Sequence, residues 1–311
     1  MNVLHLLERS ADYQTRAMAH AIGGDEVRTV HRLGILTAAR GLRQCGPIAA
    51  IHAWGFSPLA AAALANVAPI IHTPSGQWTS RGVKQLIWIS RRRRVHVTCD
   101  QGGLRNTLCL RGLAPDRCHV IPPGVNDPDA APLPPRRQIR EQLGLTDEHF
   151  VVLAPGESTR AANHRLSLWA MGILHELSPS WKLLAWGIGP MAADLRRTAV
   201  RLGCQRMLIF GGGADFAPLT AAADAALVTG DPTAATLPVA ICMAAGLPIV
   251  GSGSESPRSM AQELIDLRAD SAAMKTKGEA ARMQARRDFG MDRFRRNLAA
   301  LYETVVTHPG A

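Results

Sequence analysis

His52 stands in the tetrapeptide His52-Ala53-Trp54-Gly55, at the end of an apolar run. A histidine at the carboxyl end of a strand can contact a ligand, or relay a proton if its pKa sits near neutral; it can equally satisfy its own loop. His72 follows the same logic, while His96, alternating with Val95 and Val97, reads as structural. Glycine is the second chemical signal. Gly187 and Gly189 follow the apolar run at 183–186, and further glycines or small polar residues close the runs at 207–210, 225–228 and 248–250. Glycine lets backbone approach a ligand that a Cβ would hold off. The third signal is the run Arg91, Arg92, Arg93 and Arg94. Such a run can dock on anionic headgroups, or it can be a solvated helix end where cations suit the dipole.

Positioning these residues requires parallel βα units. Short apolar runs without polar alternation are strands buried on both faces, and the segments between them are helical. In such sheets ligands sit beyond the carboxyl ends of the strands. The stretch 181–250 shows this rhythm most clearly, so a nucleotide pocket is expected there. Earlier strands are expected at 2–7, 27–30, 47–52, 67–72, 95–98 and 118–121. Ser57 is expected to cap a helix with Pro58 in its first turn, and Asp100 to cap another. Leu166, Trp169, Ile173 and Leu177 repeat near the helical period in a helix at 165–177. Trp54, Trp78 and Trp88 either line an apolar acceptor wall or pack in the core. The proline-rich connector at 126–135 marks a domain boundary.

The 311 residues are 47% hydrophobic and 19% charged, which suits two α/β domains and excludes disorder. Cys45, Cys99, Cys109, Cys118, Cys204 and Cys242 form no CxxC pair, so reduced thiols are expected rather than a zinc site. No apolar run reaches the ~20 residues that span a bilayer, and a strand is expected almost at Met1, so a cytoplasmic protein is expected. The net charge is +10, with only Lys84, Lys182, Lys275 and Lys277 as lysines. That excess suits an anionic partner such as a membrane face, to which the arginine run gives peripheral contact. No aromatic stacking platform accompanies it, which argues against nucleic acid.

Taken in order, these motifs resemble the retaining glycosyltransferases of family 4, which have a GT-B fold. The carriers are VIPPGV at 120–125, the strand, glycine loop and helix at 151–177, LLAWGIGP at 183–190, MLIFG at 207–211, AADAALV at 222–228 and MAAGLPIV at 243–250. HAWG at 52–55 and HTPSG at 72–76 resemble active-site loops of the first domain. The resemblance implies two Rossmann-like parallel-sheet domains facing across a cleft, closed by C-terminal helices. Their expected bounds are 1–130 on the acceptor side and 131–285 on the nucleotide-sugar side, with a helix at 286–311 crossing back. It implies a nucleotide-diphosphate sugar donor, a glycan or small-molecule acceptor, and no metal or other cofactor.

The same alignment of motifs exposes departures. The family's phosphate-binding Arg and Lys fall at Glu157 and Ala162, and its two donor-site glutamates at Thr233 and Ile241. Loss of one transition-state donor typically costs ~3 kcal/mol. The resemblance therefore implies a rebuilt donor site drawn from Gly156, Arg160, His164, Gly187, Gly189, Thr233 and Thr236, with Arg165 a further cation and His52 the catalytic candidate. The alternative is a catalytically degenerate pseudo-glycosyltransferase that serves as a binding or scaffold protein, with the C-terminal helices as its apolar face and a protein as its partner.

Overall fold

A computed structural model describes residues 2–8, 13–21, 26–31, 34–74, 80–127, 133–212, 215–231, 236–251 and 256–307. The chain divides into two compact units, Met1–Gly124 with Met291–Ala311, and Val125–Gly290. The divisions thus fall at Gly124 and Gly290, beside the expected positions 130 and 285.

The first unit runs β1 (Val3–Glu8), α1 (Tyr13–Ala21), β2 (Glu26–Val30), α2 (Ile35–Arg43), β3 (Ala50–Trp54), α3 (Phe56–Ala65), β4 (Ile70–Thr73), α4 (Ser80–Ser90), β5 (Val95–Cys99), α5 (Gly102–Leu110) and β6 (Cys118–Val120). Its six strands are parallel in the order β2-β1-β3-β4-β5-β6. Successive side chains face opposite ways. One face gives Leu4, Leu6, Ile51, Ala53, Val95 and Val97 to a core packed under α2, α3 and α4. The other carries a polar row, because His5, His52, Ile71 and His96 are neighbours in register across four strands.

The second unit runs α6 (Arg136–Gln142), β7 (Phe150–Ala154), α7 (His164–Leu177), β8 (Trp181–Ala185), α8 (Ala192–Arg201), β9 (Leu208–Phe210), α9 (Leu219–Ala222), β10 (Ala225–Leu227), α10 (Thr236–Ala244), β11 (Ile249–Val250), α11 (Pro257–Ala269) and α12 (Ser271–Phe289). The last helix, α13 (Met291–Thr307), belongs to the first unit. The second sheet is parallel in the order β11-β10-β7-β8-β9. Val152, Ala154, Leu183 and Ala185 face one core; Val151, Leu153 and Leu184 face the other. The chain adds strands on one side of β7, then returns to its other side with β10. That reversal opens a crevice beyond the carboxyl ends of β7 and β10.

Two local expectations are corrected, and the buried face of one expected helix is defined. Ser57 does not cap α3: Gly55 occupies the cap, and the Ser57 amide inside the first turn donates to Glu8 Oε1 at 2.8 Å. A carboxylate from β1 suits the positive helix end better than a hydroxyl. Asp100 is not a cap either, since α5 begins behind Gln101 without a side-chain bond. On α7 the buried face is Ser167, Leu168, Ala170, Met171 and Leu174, while Trp169 and Leu177 are 51% and 66% exposed. Small side chains at 167 and 170 allow close approach to the sheet, so the apolar stripe one step around the helix loses the contest. Among the described residues no helix is long and apolar enough to cross a membrane.

Candidate functional site

The crevice of the second unit is built from two loops laced together. Beyond β7 the chain passes Gly156 at φ +83° and enters α7 through Asn163 in the left-handed region. Beyond β10 the Asp231 amide donates to Ala161 O at 2.9 Å, and the Thr229 hydroxyl to Asn163 O at 3.1 Å. The Ser167 hydroxyl completes this seam with a 2.8 Å bond to Thr229 Oγ1. Gly230 is sterically required, since a Cβ there would lie 1.9 Å from Ala161 O.

The turn after β8 clamps the first loop from the other side. Ser158 donates its amide to Ile188 O at 2.6 Å and accepts from the Met191 amide at 2.8 Å. Gly189, at φ +113°, permits this approach, because a Cβ would stand 2.6 Å from Ser158 O. Gly187 gives its space to the Phe210 ring, which a Cβ would meet at 2.9 Å.

His164 is the pin of the assembly. It is 4% exposed, with Nε2 3.1 Å from Pro155 O and Nδ1 3.2 Å from Ser158 Oγ. A carbonyl oxygen only accepts, so Nε2 carries the proton and Nδ1 accepts from the Ser158 hydroxyl. Burial lowers the pKa of the ring, which is therefore neutral. His164 organises the loop and has no nitrogen to spare for a phosphate.

A cavity of about 180 Å³ lies on this loop, lined by Ser158, Thr159, Arg160, Asn163, His164, Arg165, Met191 and Leu195. It takes in the first residues of α7, where helix amides and dipole favour an anion. Arg160 is exposed, and among the described residues nothing pairs with it. Arg165 is half-exposed and held loosely by Asp194, with Nε 3.8 Å from Oδ2. Glu157, which follows Gly156, is exposed but is not without a partner.

The structure thus gathers Gly156, Arg160, His164, Gly187 and Gly189 around one crevice. Thr236 is buried at the start of α10, and Thr233 lies outside the described residues. Ala162 and Ile241 are both buried, at 7% and 6% exposure. Serine and threonine at 158 and 159 were not among the expected site residues; two short hydroxyl side chains in the loop that opens at Gly156 are the signal that marks them. Asp194 and Met191 carry no such signal.

In the first unit His52 is fully buried. Its Nδ1 meets the Tyr302 hydroxyl from α13, and its Nε2 lies 2.7 Å from Thr73 Oγ1, which is itself 2.7 Å from Thr98 Oγ1. Burial, then the nearby His5 and His72, hold its pKa well below the ordinary value. The ring is neutral with both nitrogens engaged, which is not the environment of a relay poised near neutral pH. Trp54 stacks on it with ring centroids 4.2 Å apart and donates its indole N–H to His5 at 3.1 Å, so it is core. Trp88 is 58% exposed on α4, and Trp78 lies outside the described residues. The six thiols are free, and among the described residues no group of three or more His, Cys, Asp or Glu is placed to hold a metal ion.

No protein-family model matches the chain, and no curated protein is similar to it in sequence. Solved structures are. HepE of Anabaena in complex with UDP and glucose superposes with a TM-score of 0.76 at 15% identity, over 98% of this chain and 100% of that one. A glycosyltransferase of Rickettsia africae gives 0.73 at 15% identity, over 98% of each chain. A sucrose-phosphate synthase of Thermosynechococcus elongatus gives 0.72 at 16% identity, over 99% of this chain and 100% of that one. The fold is GT-B: two Rossmann-like parallel sheets, with a C-terminal helix packed on the first.

Proposed function

We propose that this chain is a glycosyltransferase-like protein that binds a nucleotide-diphosphate sugar at the crevice of its second unit and transfers the sugar to an acceptor. The observation that carries this is the cavity at the α7 N-terminus, with Arg160 unspent at its rim and Arg165 beside it. Two guanidiniums near a helix N-terminus supply what a leaving diphosphate needs, namely positive charge and N–H donors without a metal. HepE, of the same fold, binds UDP and glucose. In this reading Arg160 and Arg165 take the place of the Arg and Lys that Glu157 and Ala162 displace. Gly187 and Gly189 shape the turn under the diphosphate, and His52 ties β3 to α13 and β4 rather than handling a proton.

A second reading has one specific observation in its favour. Ile241 is buried in the core, so the position implied for ribose recognition offers no acceptor to a diol. A protein that binds the diphosphate without transferring sugar would look like this. Release of UDP from UDP-glucose, or GDP from GDP-mannose, measured with and without a panel of glycan acceptors, separates the two. Turnover above the uncatalysed rate that Arg160→Ala abolishes supports transfer. Nucleotide binding with no turnover supports the degenerate alternative.

A further inference from the structure

Two arginines of the run at 91–94 have work inside the fold. Arg93 donates from Nε to Ala63 O at 2.8 Å, closing the end of α3, and Arg94 is likewise not free. The other two are exposed. Arg92 lies over the Trp88 ring, its Cζ 4.2 Å from the centroid, and Arg91 pairs with nothing among the described residues. Arg92 Nη1 also reaches the Trp88 carbonyl in the last turn of α4 at 3.4 Å, so a helix-end role accounts for part of Arg92 but leaves Arg91 and the exposed Trp88 ring unexplained.

The neighbouring connection brings a second apolar side chain to the same edge. A Cβ at Gly112 would stand 3.6 Å from Arg91 Nη2, so the end of α5 abuts the end of α4. Leu110, two residues earlier, is 90% exposed, and Arg111 is exposed beside it. Both helices return antiparallel to the strands, so their ends meet where the chain enters β5 and approaches β6. This is the amino edge of the first sheet, opposite to the edge where ligands of parallel sheets bind. Residues 80–117 carry nine bases against Asp100 and Asp116. Asp100 follows the far end of β5, and Asp116 shares its surroundings with Arg94 and Arg117 around His96.

We propose that Trp88, Arg91, Arg92, Leu110 and Arg111 form a docking surface for an anionic lipid bilayer. A tryptophan and a leucine standing out among arginines match the two layers of a membrane interface, acyl boundary and headgroup. Nucleic acid fits less well, because Leu110 has nothing to offer a base or a phosphate and, among the described residues, no second ring stands beside Trp88 to continue a stack. Each arginine near such a surface contributes about a fivefold gain in partitioning.

The test is sedimentation of the full chain with vesicles of phosphatidylcholine alone and with roughly one third phosphatidylglycerol, at low and high salt. Retention is expected only on the anionic vesicles and is lost at high salt. Arg91→Gln with Arg92→Gln lowers it about 25-fold, and Trp88→Ser with Leu110→Ser lowers it at unchanged charge. All four side chains are exposed, and thermal unfolding of each variant confirms the fold. No retention on anionic vesicles, retention that either double variant leaves unchanged, or binding to a DNA oligonucleotide in place of vesicles would overturn the proposal. None of these outcomes bears on the nucleotide crevice.

Discussion

His164→Ala separates a histidine that holds the crevice together from one that touches its ligand. In the folded chain the ring donates to Pro155 O at 3.1 Å and accepts from Ser158 Oγ at 3.2 Å, with 4% of the residue exposed. Truncation leaves a buried carbonyl and a buried hydroxyl unpaired, each at ~1–3 kcal/mol, and a small void besides. The expected loss is about 3–5 kcal/mol. With an m-value of about 3 kcal/mol/M for a unit of this size, the urea midpoint of the second unit falls by roughly 1–1.7 M. Ser158→Ala, which removes one of the two bonds, costs about 1 kcal/mol. The pH dependence has a defined sign. The folded pKa is lowered from 6.5, so the unfolded state binds more protons, and the contribution is full above 6.5 and fades as pH falls. The variant's urea midpoint is therefore flatter than the wild type's on the acid side. A midpoint unchanged within error, with nucleotide binding abolished, would refute this account of His164.

Further expectations concern the scaffold. Asp224 accepts from Arg136 at 2.6 Å, from Arg140 at 2.8 Å and from the Val151 amide at 2.7 Å, and the Arg140 side chain is 3% exposed. Asp224→Ala strands that buried cation and destabilises the second unit by about 3–5 kcal/mol, read by urea unfolding. His5 and His72 have pKa values lowered to about 4 by burial. Both are neutral when folded, so the first unit loses stability as pH drops from 6.5 toward 4, by up to about 3 kcal/mol for each ring. Intrinsic fluorescence of Trp54, which contacts His5 and His52, follows that loss. Gly189→Ala forces the turn after β8 away from Ser158; nucleotide affinity falls at least about tenfold, with far-UV circular dichroism preserved.

The sheets were legible because parallel strands buried on both faces write themselves as apolar runs. The crevice was legible because glycines at 156, 187 and 189 end those runs. Nonlocal partners were not legible. Glu8 caps α3 from 49 residues away, and Tyr302 reaches His52 across 250. His52 stands on a strand as expected, but one of its two hydrogen-bond partners comes from a helix near the chain's other end, and burial decides its protonation. The helix α7 was legible from its repeat at 166, 169, 173 and 177, but its buried face was not, because periodicity gives a spacing and not a direction. Asp224 carries no local signal for its role, since nothing near it in sequence announces two arginines from α6.

The central claim is a diphosphate held at Arg160, and calorimetric titration with UDP, GDP and UDP-glucose at low salt tests it most directly. The account predicts micromolar binding of one nucleotide, weakened about tenfold or more by Arg160→Ala and reduced by added salt. Absence of heat from a folded sample, or an affinity that Arg160→Ala leaves unchanged, would contradict it.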